Sequence, residues 1–369
     1  MKICFYSPYF PNSFGGGEKY LLDAALAAAS NKQYQVNFAI SSKEPLSRQK
    51  LVKIKKNYQE FMGQKLTGIE FINTPLGADN KKFKKLFWTK NFDVLFYLTD
   101  GSLFFSLAKK NILHIQVPFK LDKSSFMQRQ KLKNWQIKTT NSEFTKSIVE
   151  PSWPVKVDFV HQPMVDAESI INKTDFSQKE KVILNVGRFF PQLHSKRQDI
   201  LVKIFNKMLT KYKKEAKEWQ LVLIGSVEDA DYAQRVHKLA QGLPIKILHD
   251  VSRDELIDWF TRSSIYWHAT GYRINDEKTP EKLEHFGITT VEAMAAGNVP
   301  IVLGKGGQVE VVGENLIDWT WLTQENCIKN TIQLIRHPDL RSNLQRLAQQ
   351  QAQAFSPDKF ANKLQKIIT

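Results

Sequence analysis

Short apolar runs recur along the chain, and the stretches between them carry apolar residues at helical spacing. Runs of about four to eight apolar and β-branched residues bounded by turn formers read as buried strands. Apolar positions three and four apart read as one face of a helix. This predicts strands at 2–6, 36–40, 69–72, 94–98, 112–117 and 155–160, with helices at 20–29, 44–61 and 121–133. The pattern restarts at 181–186 (KVILNV), with further strands at 220–224, 245–248, 265–268 and 300–303. Helices are predicted near 197–211, 231–241, 252–261 and 289–296, and the tail from Asp318 is helical without a strand signal.

Strand–helix alternation of this kind builds a doubly wound parallel sheet. Two such runs in tandem predict an α/β protein of two Rossmann-like domains facing across a cleft. The polar, acidic stretch 165–178 marks the boundary, giving an N-terminal domain over 1–165, a C-terminal domain over 166–350 and a closing helix in 351–369. Ligands of open parallel sheets bind beyond the carboxyl ends of the strands, so the βα loops are where chemistry is sought.

Composition narrows the class. The chain has 369 residues, enough for about two domains at roughly 100–200 residues each, and its 42% hydrophobic content excludes wholesale disorder. It holds no apolar run of the roughly 18 residues a membrane-spanning helix needs, and its start, MKICFYSPYF, lacks the flanks of a signal peptide. Two cysteines, Cys4 and Cys327, make neither a disulfide framework nor a zinc site, and a reducing cytoplasm is expected. The net charge is +16, unevenly placed. Residues 1–150 hold 24 basic and 11 acidic residues, a net +13, and the remainder nets +3. The first half is thus drawn to an anionic partner: a nucleic acid, an acidic metabolite or a lipid headgroup surface.

Four loops are candidates for chemistry. Ser13-Phe14-Gly15-Gly16-Gly17-Glu18 lies between the first strand and first helix; its glycines allow close backbone approach to a phosphate at a helix start, and equally suit a plain turn. It is not G-x-G-x-x-G, so the dinucleotide fingerprint is absent. Gly187-Arg188-Phe189-Phe190 follows the first strand of the second run, with Lys196-Arg197 opening the next helix; Arg offers a planar fork to phosphate oxygens and Lys a point charge. In Glu284-His285-Phe286-Gly287-Ile288-Thr289-Thr290-Val291-Glu292 two carboxylates flank a helix start whose free amides suit an anion. Either Glu could accept hydrogen bonds from sugar hydroxyls, and the Ala-rich continuation marks a buried helix rather than a surface one. In Leu113-His114-Ile115-Gln116-Val117-Pro118, alternation puts His114 and Gln116 on one strand face, near the ligand edge. His268-Ala269-Thr270-Gly271-Tyr272, at the end of a strand in the second run, is a weaker counterpart. The basic stretches Lys53-Ile54-Lys55-Lys56 and Lys81-Lys82-Phe83-Lys84-Lys85-Leu86-Phe87-Trp88 fit a solvated face, and the second also fits a membrane-surface helix. No nucleic-acid motif accompanies them, and none is expected as a partner.

These residues carry a resemblance. GGGEKY after the opening strand, NSEFTKS at 141–147, NVGRFFP, KRQD and EHFGITTVEAMAAG at 284–297, with its E-x7-E spacing, resemble glycosyltransferase family 4 over nearly the whole chain. The resemblance implies the two-Rossmann-domain GT-B fold, a last helix crossing back to the first domain, and retaining hexose transfer from a nucleoside-diphosphate sugar, with neither cofactor nor metal. It implies that Arg188 and Lys196 hold the donor diphosphate, assisted by the amides of Gly287, Ile288, Thr289 and Thr290 next to Phe286. Glu292 would bind the ribose, Glu284 the donor sugar near the reacting carbon, and His114 would lie beside that sugar. Gly16 and Gly17 would approach the diphosphate or acceptor. Five residues, Pro191 to Ser195, separate the Arg and Lys segments, more than the family pattern has, which weakens the match at Lys196.

The leading expectation is therefore a cytoplasmic transferase, peripheral on the inner face of the plasma membrane, with a nucleotide-sugar donor such as GDP-mannose or UDP-glucose, a glycan or lipid-linked acceptor, and an anionic membrane surface as a candidate partner of its basic half. Two other classes stay open on the residues alone: a dinucleotide-dependent oxidoreductase, and a non-catalytic membrane scaffold retaining a nucleotide-binding fold.

Overall fold

A computed structural model of the chain describes residues 1–76, 82–120, 125–192 and 194–369, with the backbone alone at Lys82. Lys81, the start of the helix expected at 121–133, and Leu193 lie outside the described residues. The chain forms two compact units: Met1–Met164 with Pro357–Thr369, and Val165–Ser356.

The first unit is built on β1 (Lys2–Tyr6), β2 (Gln35–Ser41), β3 (Ile69–Thr74), β4 (Val94–Leu98), β5 (Lys110–Ile115), β6 (Ile137–Thr140) and β7 (Phe159–Val160), all parallel, in the order β3-β2-β1-β4-β5-β6-β7. Strand alternation divides the core. Ile3, Phe5, Phe38, Phe96 and Ile112 face helices Gly16–Ala29, Arg48–Met62 and Pro357–Ile368. Cys4, Tyr6, Leu95, Tyr97 and Leu113 face helices Lys82–Thr89, Phe126–Asn134 and Glu143–Ser152. The last helix of the chain joins this unit through Phe360, Leu364, Ile367 and Ile368, one stripe at i, i+4, i+7 and i+8. Lys110 Nζ donates to its Ile368 carbonyl at 3.0 Å.

Three expectations need correction here. β6 and helix Glu143–Ser152 have no counterpart among the predicted elements; β6 is short and half polar, and its Thr139 and Thr140 are nonetheless buried. The strand expected at 155–160 shrinks to two residues because the Val157 amide donates to the Glu150 carboxylate (2.9 Å) instead of a neighbouring strand. β5 ends at Ile115, not at 117.

The second unit carries β8 (Val182–Val186), β9 (Gln220–Ile224), β10 (Ile245–Leu248), β11 (Ile265–His268) and β12 (Val299–Val302), all parallel, in the order β10-β9-β8-β11-β12. It runs to Ser356 rather than 350, because helix Pro338–Ala352 packs within it, and its Ala348 and Ala352 are fully buried. The segment 165–178, expected to mark the boundary, opens the second unit as helix Ala167–Asn172 and a single turn at Phe176–Gln178. In both sheets the strand order reverses at the first strand, between β1 and β4 and between β8 and β11.

Candidate functional site

Ligands settle where the strand order of an open parallel sheet reverses. In the second unit, Gly187 and Arg188 leave β8 at that point and His268 ends β11. Gln198 Nε2 ties the loop down by donating to the carbonyls of Gly187 (2.9 Å) and Arg188 (3.2 Å). A Cβ on Gly187 would lie 3.0 Å from Lys196 Cδ and closer still to Cγ, so only glycine lets the lysine stem lie along the loop. That stem carries Nζ to Glu284, and the two form an ion pair. The same carboxylate oxygen accepts a hydrogen bond from His268 Nε2 at 2.8 Å, and Thr270 Oγ1 sits 3.1 Å from that nitrogen. The Lys196 and Glu284 side chains keep only 16% and 14% exposure, and His268 keeps none.

The electrostatics follow from that packing. Burial alone would raise the Glu284 carboxyl, but the Lys196 ammonium and His268 overcome it and hold the group well below the usual carboxylate range. Burial holds the His268 imidazole below its ordinary value against the pull of Glu284. Because Nε2 donates to a carboxylate, the neutral ring leaves Nδ1 as a bare lone pair, and that atom is buried without a partner.

After Glu284, whose carbonyl accepts from the Gly307 amide (2.8 Å), the chain turns at Gly287. Gly287 has φ of 116°, which side-chain-bearing residues rarely adopt, and it starts helix Ile288–Ala295. The amides of Thr290 and Val291 bond back to Gly287, leaving those of Ile288 and Thr289 as the helix-end donors an anion takes up. Thr290 Oγ1 and both polar atoms of the neighbouring Gln308 carboxamide are buried without a partner. Thr289 Oγ1 accepts from Tyr266 on β11 at 2.8 Å.

Two further ion pairs flank this centre. Arg188 Nη1 reaches both oxygens of Glu228 (2.8 and 3.1 Å) in an exposed pair. Arg253 Nη2 donates to Glu292 Oε1 at 2.6 Å, with Glu292 only 7% exposed. The structure thus groups Lys196, Glu284 and the helix start, and gives Arg188 and Glu292 separate internal partners. Phe286 does not face open space; it is buried edge-on against Phe355, 5.2 Å between centroids. Ile288 packs on the core of the unit.

In the first unit, Gly16 and Gly17 open helix Gly16–Ala29 without a side-chain cap, and a Cβ on Gly17 would lie 2.7 Å from Gln116 Oε1. His114 shares that strand face, as alternation predicts, but it is fully buried. The helix covers it: His114 stacks on Tyr20 (4.1 Å, 9° between planes), and its Nδ1 meets Thr139 Oγ1 at 2.7 Å. Burial, reinforced by His161, pushes it well below its ordinary value, and its Nε2 has no partner. Sequence reasoning missed Arg253, Glu228 and Gln308, and held Thr270 only within the weaker loop that follows His268. The position of Arg253 beyond a strand end was the available signal.

Two parallel-sheet units, the second with a lysine–carboxylate–histidine cluster and a helix start at its switch point, place the chain in the class of α/β proteins built of two Rossmann-like units. The chain belongs to the family of glycosyl transferases group 1, whose model matches residues 166–351. In sequence it is 28% identical over 213 residues to the GDP-Man:Man(3)GlcNAc(2)-PP-Dol alpha-1,2-mannosyltransferase of Neurospora crassa, covering 47% of this chain and 35% of that protein. To the protein of the same name from Dictyostelium discoideum it is 24% identical over 201 residues, covering 52% and 37%. The matches span about a third of the length of these relatives. In structure it is similar to Anabaena HepE in complex with UDP, with a TM-score of 0.69 at 15% identity over 99% of both chains. A glycosyltransferase from Rickettsia africae also gives 0.69, at 16% identity over 100% of this chain and 97% of that one. At such identities these likenesses establish the fold alone: GT-B-type α/β, built of two Rossmann-like units.

Proposed function

We propose that the chain is a retaining hexosyltransferase of glycosyltransferase family 4, moving a hexose from a nucleoside-diphosphate sugar to a lipid-linked or cell-surface glycan. The Lys196–Glu284–His268 centre beside the helix start carries the reading. The leaving nucleoside diphosphate is strongly anionic. Arg188, Lys196 and the amides at Ile288 and Thr289 stabilise that charge as it develops. Fixed cations then take the part a divalent metal plays in other enzymes, and the reading calls for no metal or cofactor. Glu284 grips hydroxyls of the donor sugar and Glu292 the ribose diol. The roles that resemblance gives Gly16 and Gly17 belong to the same proposal, whereas His114, fully buried under Tyr20, is left out of it.

Without donor, Lys196 and Glu284 neutralise each other. Binding exchanges partners: the diphosphate takes the ammonium, and the sugar hydroxyls take the freed carboxylate. In the transfer step the acceptor hydroxyl attacks the anomeric carbon from the face the phosphate leaves. The carbon–phosphate-oxygen bond breaks, and the departing oxygen takes the acceptor proton. A trapped glycosyl–enzyme adduct would contradict this one-step route.

The donor named for the Neurospora relative favours GDP-mannose and a lipid-linked acceptor, and the UDP-glucose named for a HepE structure keeps that sugar as the second candidate. Among the described residues no helix is long and apolar enough to cross a membrane; the proposed location is the cytoplasmic face, peripheral to the membrane. A thermal-shift screen of nucleoside diphosphates and their sugars tests the function. A donor at about 100 times its Kd adds about 2.7 kcal/mol, a rise of about 5–10 °C. No rise with any member of the panel contradicts the proposal.

A further inference from the structure

We propose that one outer layer of the first unit docks on an anionic lipid bilayer. The layer comprises helix Lys82–Thr89, the segment 101–109 and helix Phe126–Asn134. Hydrogen bonds hold them together: the Leu107 amide donates to Thr89 Oγ1 (2.8 Å), the Ser106 amide to Asn134 Oδ1 (2.7 Å), and Asn134 Nδ2 to the Ser106 carbonyl (3.0 Å). Their inward side chains, Trp88, Leu103, Phe104 and Leu132, share one core cluster.

The outward side chains are the unusual feature. Fourteen large apolar side chains are exposed among the described residues, and six of them, Phe83, Phe87, Phe105, Leu107, Phe126 and Met127, lie on this layer. Phe83, Phe87 and Phe126 are 79%, 61% and 75% exposed, and Phe83 and Phe87, four apart, share a helix face. So many exposed apolar side chains on one layer mark an interaction surface. Neither helix contains an acidic residue, while they carry Lys84, Lys85, Lys131 and Lys133. Exposed aromatic rings on helices that also carry lysines match the acyl boundary and anionic headgroups of a bilayer surface. A second copy of the chain fits worse, because a two-fold contact sets the same basic helices against each other. The inference rests on the peripheral membrane location proposed above and uses no donor-site residue, so loss of vesicle binding and loss of nucleotide binding are read separately.

The test is co-sedimentation of the full chain with phosphatidylcholine vesicles, with and without phosphatidylglycerol. Binding is expected only to the anionic vesicles and should weaken with salt. Lys84→Gln with Lys85→Gln should weaken it about 25-fold, at about five-fold per charge, and Phe83→Ser with Phe126→Ser should abolish it. These side chains are exposed, so the variants should keep the wild-type melting temperature and the wild-type response to nucleoside diphosphate. Equal binding to both vesicle types, wild-type binding by the variants, or a dimer in size-exclusion chromatography that the phenylalanine variant converts to monomer would each overturn the proposal.

Discussion

Replacing Lys196 by methionine removes the ammonium and keeps a stem of similar length against the Gly187 loop. Glu284 is then left with His268 at 2.8 Å as its one remaining donor among those described above. Removing one member of a buried ion pair costs about 3–5 kcal/mol. Here the pair retains 16% and 14% exposure and His268 remains, so about 2 kcal/mol is expected, a loss of roughly 4–8 °C in melting temperature. The diphosphate of a bound nucleotide loses one charge-assisted hydrogen bond, about 1.5–3 kcal/mol, and its Kd should rise about 10- to 150-fold. Glu284→Gln does the reverse to the bare nucleotide. It frees Lys196 from its competitor, so a nucleoside diphosphate without sugar should bind as well as to wild type or up to about ten-fold more tightly, while transfer falls at least about 100-fold. Isothermal titration of GDP and UDP against the two variants reads both effects. An unchanged Kd in Lys196→Met, or equal weakening in both variants, would refute the idea that the diphosphate lands on this pair.

Two further outcomes follow from the same chemistry. Burial pushes His161 down to about 4, against the Phe360 carbonyl that its Nε2 meets at 3.0 Å. Its unfolded value is near 6.5, so the unfolded chain binds the extra proton; stability is full above that value and is lost as pH falls toward 4, about 2 kcal/mol of it between pH 7 and 5. Urea denaturation at the two pH values, compared with His161→Gln, checks this, and a variant with the same pH dependence would show that His161 is not responsible. Arg253→Ala strips Glu292 of its guanidinium and leaves a carboxylate 7% exposed; a rise in KM for the donor of about ten-fold or more, with kcat changed much less, is expected from steady-state kinetics.

Much of the architecture was legible because both sheets are parallel and buried on both faces, so their strands are near-continuous apolar runs. β4, β9, β10 and β11 fall where those runs predict. β6 escaped because Ile-Lys-Thr-Thr is as polar as a loop; its threonines are buried through tertiary bonds such as that from Thr139 to His114. At the site, residue types and loops were readable and pairings were not. Lys196 and Glu284 stand 88 positions apart, and no local pattern announces that they neutralise one another. Arg253, charged and half exposed, looks in sequence like any helix-start residue. For His114, alternation gave the correct face, but only packing shows that Tyr20 covers that face. Phe286 adjoins the helix start in sequence, yet its ring turns into the core against Phe355.

The claim beneath all of this is that the second unit grips an activated sugar at the switch point of its sheet. A crystal structure of the chain with GDP-mannose or UDP-glucose bound tests it most directly. The diphosphate oxygens should lie within hydrogen-bond reach of Lys196 Nζ and the Ile288 and Thr289 amides, with Glu284 turned from Lys196 to a sugar hydroxyl. A nucleotide bound elsewhere, with the Lys196–Glu284 pair intact, would contradict the claim.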